Sequence, residues 1–207
     1  KYRVLLQAST DSVFGSVDVE SDEDTTPNPQ STYGTSKLEA EKIILRNKFV
    51  TYNFRPVILR FSTGMGCSDN MRVNLLVNDL VFTALETKLL TVFEPDVHRT
   101  FINVFDMARA IQYFGELTYN KANAHEIYCI GDDSLNYTKR ELAELVKSKT
   151  GCQVLYIDNQ KDPDQRNYKI NHKKMYDAGF KCHMSMEETI DELIKTYPSM
   201  KFQKKYQ

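Results

Sequence analysis

Apolar positions in this chain gather into short runs separated by polar loops. Tyr2 to Ala8, centred on Val4-Leu5-Leu6, shows no alternation of apolar and polar residues and reads as a buried strand. Pro56-Val57-Ile58-Leu59-Arg60-Phe61 is a second such run, and it ends in Ser62-Thr63-Gly64-Met65-Gly66, whose glycines suit a tight turn. Between the two runs, Pro29 marks a helix entrance, and Leu38, Ile44 and Leu45 supply the apolar positions of a helix from about Ser31 to Asn47. Strand, helix and strand at this spacing predict a βαβ unit in a parallel sheet.

Further along, Val73, Leu76, Val77, Leu80 and Ala84 form a helical stripe over Met71 to Thr87. Leu89 to Phe93 reads as a strand, His98 to Val104 as an extended stretch, and Phe105 to Leu117 as a helix. Glu126 to Ile130, closed by Gly131, is a late strand of the parallel sheet. Thr138-Lys139-Arg140-Glu141 is a capping box that opens a helix to about Thr150, and Gly151 stops it. Gln153 to Ile157 is another strand, and a loop from Asp162 to Tyr168 follows. Asn171 to Ala178 is a short helix stopped by Gly179, and Ser185 to Glu188 caps the last helix. Beyond Pro198 a basic tail with Lys201, Lys204 and Lys205 is expected to fray.

Composition narrows the function classes. With 207 residues the chain is long enough for one ordinary domain or two small ones. Its 27 basic and 28 acidic residues nearly cancel, which argues against bulk attraction to nucleic acid or an anionic membrane. Cys67, Cys129, Cys152 and Cys182 are irregularly spaced, neither a disulfide framework nor a zinc pattern, so reduced thiols in a cytoplasmic protein are expected. The scattered histidines, including His183 beside Cys182, give no metal-ligand spacing. The acidic residues between Asp18 and Asp24 read as a solvated surface. No signal peptide or membrane span is visible, since Val73 to Leu85 is interrupted by Asn74, Asn78 and Asp79. The chain opens inside a strand, as a piece cut within a domain would.

Candidate chemistry concentrates at the ends of the first two strands. Tyr33 and Lys37 are four residues apart and share one side of a helix. An ammonium close to a phenol favours the phenolate, which makes Tyr33 a candidate proton acceptor. Ligands of open α/β sheets bind beyond the carboxyl ends of the strands, where Thr10, Asp11, Ser62 and Thr63 fall. Asn74 and Asn78, four apart, are either surface amides or ligands for a sugar or base.

Ser9-Thr10-Asp11-Ser12-Val13-Phe14-Gly15, the acidic Pro-Asn-Pro loop, and Tyr33-Gly34-Thr35-Ser36-Lys37-Leu38 with Glu41 form an ordered set. That set resembles the extended short-chain dehydrogenase/reductase family, the NAD-dependent epimerases, dehydratases and reductases of nucleotide sugars. The resemblance implies a mixed α/β fold: the C-terminal part of a Rossmann-type parallel sheet (residues 1–66 and about 101–131) plus a smaller α/β substrate-binding domain (67–100 and about 132–207). It implies Thr10, Asp11, Tyr33 and Lys37 as catalytic residues, with Asp11 as a second acid. It also implies Tyr33, Lys37, Phe61 and Ser62 as contacts of NAD or NADP. Thr63 stands where the family has a diphosphate-binding Asn; with Asn74 and Asn78 it is a candidate contact for a nucleotide sugar, as are Arg99 and Arg166, whose planar forks suit phosphate oxygens. Ser12 replaces the Glu that follows the Asp in the dehydratases.

No Gly-rich phosphate loop follows the first strand, so the main cofactor-binding half is expected to lie outside this sequence, leaving the chain by itself inactive. Homodimerisation through the Tyr-Lys helix is the family's habit. A non-catalytic regulatory or binding subunit on the same fold is the alternative reading.

Overall fold

Residues 3–16, 20–46, 54–120, 126–157 and 169–200 are described by a computed structural model. The elements run β1 (Arg3–Thr10), a 3-10 turn (Asp11–Val13), β2 (Glu20–Ser21), α1 (Thr32–Arg46), β3 (Phe54–Phe61), β4 (Thr63–Met65) and α2 (Leu76–Thr87). They continue through β5 (Leu89–Phe93), β6 (His98–Asn103), α3 (Val104–Asn120), β7 (Glu126–Ile130), a second 3-10 turn (Asp133–Leu135) and β8 (Asn136–Thr138). α4 (Lys139–Thr150), β9 (Gln153–Ile157), β10 (Lys169–Ile170), α5 (Lys173–Asp177) and α6 (Met186–Met200) complete the order.

The predicted βαβ unit is the organising piece. β3 lies between β1 and β7, parallel to both, with Thr10 level with Phe61 and Phe61 level with Ile130. Pro56 is tolerated in this central strand because it precedes Val57, where pairing to β7 begins. Successive β3 side chains point to opposite faces. Val57, Leu59 and Phe61 pack with Ala110 and Phe114 of α3 and with Met175 and Phe180. Met175 and Phe180 thus join the core beneath β3, although the sequence placed them with the substrate domain. β1 differs from expectation: Val4, Leu5 and Leu6 are only half-buried, because β1 pairs with β3 alone among the described strands.

A second core forms where α2, α4 and α6 close over β5, with Val77, Val81, Leu90, Leu142, Val146, Ile190 and Leu193 inside. β5 pairs parallel with β9, while β6 joins β4 in parallel and β8 antiparallel. The capping box at Thr138 and Glu141 is present, and Gly151 ends α4 at a φ of 68°. Ser185 and Glu188 cap α6 in the same reciprocal way.

Four further expectations change. The stretch after β3 is not a tight turn: Thr63–Met65 crosses to the second sheet as β4, paired with Phe101–Asn103. α2 starts at Leu76 and not at Met71, because the Asn78 amide accepts from Gly66 N–H (3.0 Å) and donates to Arg72 C=O (3.0 Å), holding 66–72 as a loop. α6 runs through Pro198 to Met200, with the Tyr197 ring 5.5 Å from that of Phe82; residues 201–207 lie outside the described residues. The acidic loop is not merely solvated: Asp22 caps a turn to Thr25, and Glu23 accepts the Cys129 N–H at 2.7 Å. Asp18 lies outside the described residues.

Helix α1 is fastened to the sheet from below. Arg60 of β3 donates to both oxygens of Glu41 in α1, at 3.1 and 2.8 Å, and both side chains are buried. Ser9 of β1 also donates to Glu41, and the Phe14 ring lies 5.0 Å beneath the guanidinium. A fork that pairs two carboxylate oxygens is the strongest form of such a contact. Glu41→Gln leaves the Arg60 charge buried without its counter-charge, so it should lower the unfolding free energy by about 3–5 kcal/mol, as urea unfolding will measure.

Candidate active site

The first turn of α1 sits beside the carboxyl end of β1 for identifiable reasons. Ser31 caps the helix by accepting the Gly34 N–H at 3.0 Å. Gly34 then lies against the 3-10 turn so closely that a Cβ there would fall 2.6 Å from the Ser12 carbonyl oxygen. The residues on either side of this contact therefore face the tip of β1, with Tyr33 in the first turn of the helix and Lys37 one turn on.

A cavity of about 640 Å³ opens at this point, bounded by Thr10, Tyr33, Lys37, Phe61, Ser62, Thr63 and Asn78, among others. The Lys37 ammonium donates to the Ala8 carbonyl at 3.0 Å and stands 5.8 Å from the centre of the Tyr33 ring. Tyr33 is 54% exposed, so its ring faces open space and not packed hydrocarbon. Thr10 caps the 3-10 turn through its hydroxyl, which accepts the Ser12 N–H (3.2 Å) and donates to Ser12 Oγ (3.1 Å). A phenol, an ammonium and a hydroxyl thus share one wall.

Other candidates take different places. Asp11 does not line the cavity: it is fully buried behind the wall, where Ser62 Oγ donates to its Oδ2 at 2.6 Å. Burial pushes its carboxyl up to about 6, against the lowering influence of the Ser62 hydrogen bond and of His172 and Arg60. Its Oδ1 has no hydrogen-bond partner among the described residues. Asn78 lines the cavity, but its amide is engaged by the 66–72 loop. Asn74 lies in the turn before α2 and not on that helix, exposed and away from the cavity wall. Arg99 is buried in β6, donates to the His98 carbonyl at 3.0 Å and is not part of the wall. Arg166 lies outside the described residues. Ser68, Asn70, Met71 and Arg72 also bound the cavity; Met71 and Arg72 were unforeseen because they read as the start of a helix, and Ser68 and Asn70 because they fall between predicted elements.

Compared with known proteins, residues 1–131 match the model of the NAD dependent epimerase/dehydratase family, a span that holds every candidate named above except Arg166. The chain belongs to that family. Its curated relatives include the dTDP-D-glucose 4,6-dehydratases of Mus musculus (27% identical over 203 residues) and Bos taurus (26% over 212). Each alignment takes in 93% of this chain and 55% of the relative, so the chain spans about half the length of the curated relatives it matches. Among solved structures, the dTDP-glucose 4,6-dehydratase of Bacillus anthracis in complex with NAD superposes with a TM-score of 0.77 at 27% identity, covering 94% of this chain and 61% of that one. The UDP-glucuronic acid 4-epimerase of Bacillus cereus, in complex with UDP-glucuronic acid and NAD, shares the fold at a TM-score of 0.80 and 20% identity, covering 97% of this chain and 63% of that one.

Two features outside the family motifs bear on chemistry. All four cysteines are free thiols, and no group of three or more His, Cys, Asp or Glu among the described residues could hold a metal ion. No helix among them is long and apolar enough to cross a membrane.

The raised carboxyl of Asp11 has a signed consequence. The native chain holds that proton up to pH about 6, the unfolded chain only to about 4, so this group's stabilising contribution is lost as pH rises between them. Asp11→Asn removes the loss: from pH 4 to 7 its unfolding free energy should gain about 2–3 kcal/mol on the parent, measured by urea titration at each pH.

Proposed function

We propose that this chain carries the proton-transfer side of a nucleotide-sugar epimerase, dehydratase or reductase. The observation that supports this most directly is that Tyr33 and Lys37, one turn apart on α1, border the same cavity as Thr10 at the carboxyl ends of β1 and β3. The residues present fit the nicotinamide-ribose end of a dinucleotide: an ammonium pinned at the β1 tip for ribose hydroxyls, with Phe61 and Ser62 on the adjoining wall. A nicotinamide bound there would accept or return hydride at a sugar carbon.

Tyr33 takes the proton from the sugar hydroxyl at that carbon and gives it back in the reverse direction. Lys37, held by the Ala8 carbonyl, keeps positive charge near the ring that must carry the negative one. Thr10 positions the reacting oxygen with the lone pair that its capping role leaves free, since a hydroxyl accepts two hydrogen bonds. Thr63, on the same wall, contacts the nucleotide-sugar substrate in this reading, and the basic Arg72 is the described side chain best placed for its phosphates. Asp11, set behind the wall, acts on the site through its neighbours.

Tyr33→Phe removes one oxygen and little else. In the protein expressed from its complete reading frame, with NAD(P)(H) and a panel of nucleotide sugars, it should lower kcat by about 10²–10⁴-fold while cofactor binding by fluorescence titration holds. Turnover retained in the variant would refute the assignment. No turnover in the parent with any sugar, together with a stable complex with a partner enzyme, would support a regulatory subunit instead.

A further inference from the structure

We propose that Asp133, His172 and Ser62 form a buried proton path joining the molecular surface to Asp11 behind the cavity wall, with His172 as the positioning residue that sets the charge of Asp11. The four groups come from distant parts of the sequence and meet at the carboxyl ends of β1, β3 and β7. Asp133 Oδ1 lies 2.7 Å from His172 Nδ1 and also accepts the His172 backbone N–H at 3.1 Å. Two contacts to one carboxylate oxygen fix the ring and place its proton on Nδ1, so Nε2 presents a lone pair inward. That lone pair faces Ser62 Oγ at 3.5 Å, and Ser62 donates to Asp11 Oδ2 at 2.6 Å.

Burial grades along this series as a conduit requires. Asp11 and His172 are fully buried and Ser62 nearly so, while the Asp133 side chain is 49% exposed. Gly131 keeps the narrow middle of the path open. A Cβ there would fall 2.5 Å from His172 Nε2 and closer still to Ser62 Oγ, driving the two apart. Among the described residues no donor reaches Asp11 Oδ1, so Ser62 supplies the hydrogen bond that favours the charged carboxylate.

The transfer balances without any co-reactant. With the Asp11 proton on Oδ2, the Ser62 hydroxyl turns from Asp11 to His172 Nε2. Asp11 then gives its O–H proton to Ser62 Oγ while Ser62 passes its own to Nε2. The Asp11 O–H bond breaks, one O–H bond breaks and one forms on Ser62, and an N–H bond forms on His172, leaving a carboxylate at Asp11 and an imidazolium against the Asp133 carboxylate. Other charges bear on the two ends. Arg60 favours the Asp11 carboxylate and Glu23 opposes it, while the buried Cys129 thiol feels its field. Lys169 favours the Asp133 carboxylate, and Tyr176, with Asp132 in its field, accepts the Asp133 N–H at 2.9 Å. The proposed function gives the path its purpose, resetting the charge behind Thr10 without opening the cavity; its existence does not rest on that reading.

Imidazole ¹⁵N and carboxyl ¹³C spectra of the protein, recorded from pH 4.5 to 8, test the path. The expected result is an Nδ1–H tautomer whose Nε2 signal follows the Asp11 carboxyl through the same pH interval, with that correspondence lost in Ser62→Ala and in Asp11→Asn. Gly131→Ala should weaken it as well. An Nε2–H tautomer, or a His172 signal indifferent to Ser62→Ala and Asp11→Asn, would overturn the proposal. Coupled signals alongside an active Tyr33→Phe enzyme would sink the functional reading and leave the path standing; uncoupled signals with an inactive Tyr33→Phe enzyme would do the reverse.

Discussion

The ion pair between Glu41 and Arg60 is the contact on which the cavity depends. It crosses from α1 to the middle of β3, and Ser9 ties the same carboxylate to β1. The other ties of the helix, Gly34 against the 3-10 turn, Lys37 on the Ala8 carbonyl and Leu38 against Val13 and Phe14, all lie in its first two turns. Replacing both partners with well-fitted apolar residues often costs little stability, whereas removing one is severe. The value of a charged pair here lies in its geometry: a two-pronged contact fixes rotation about the helix axis as well as distance, and rotation decides whether Tyr33 and Lys37 face Thr10.

The same logic explains which parts of this molecule were legible beforehand. β5, β7, β9 and α4 follow from local pattern because their signals are local: apolar runs bounded by turn residues, and a capping box with a terminal glycine. The Tyr33–Lys37–Thr10 wall was legible because the helix period and the strand-end rule together place three separated residues at one point. β4 and the late start of α2 were not. They arise from pairing with β6 and from an asparagine amide spent on a loop, and neither leaves a trace in periodicity.

The sequence places Asp11 at the strand tip as a second acid, and the structure sets it there behind the cavity wall. Its position at the strand tip is a matter of sequence, but its burial depends on Ser62, His172 and the loop carrying Glu23 closing over it. His172 and Asp133 went unnoticed for a related reason. They are 39 positions apart, and nothing in either stretch announces a partner; Asp133 follows β7, whereas His172 follows β10, which reaches this end of the sheet by pairing with β2.

β1 holds Thr10, yet among the described residues it is bonded on one side only. Its other flank offers a row of amide and carbonyl groups, with Val4, Leu5 and Leu6 half covered. Neighbouring strands of a sheet impose their twist on one another. The tilt of the β1 tip, and with it the mouth of the cavity, is therefore under the mechanical control of whatever backbone lies down along that flank.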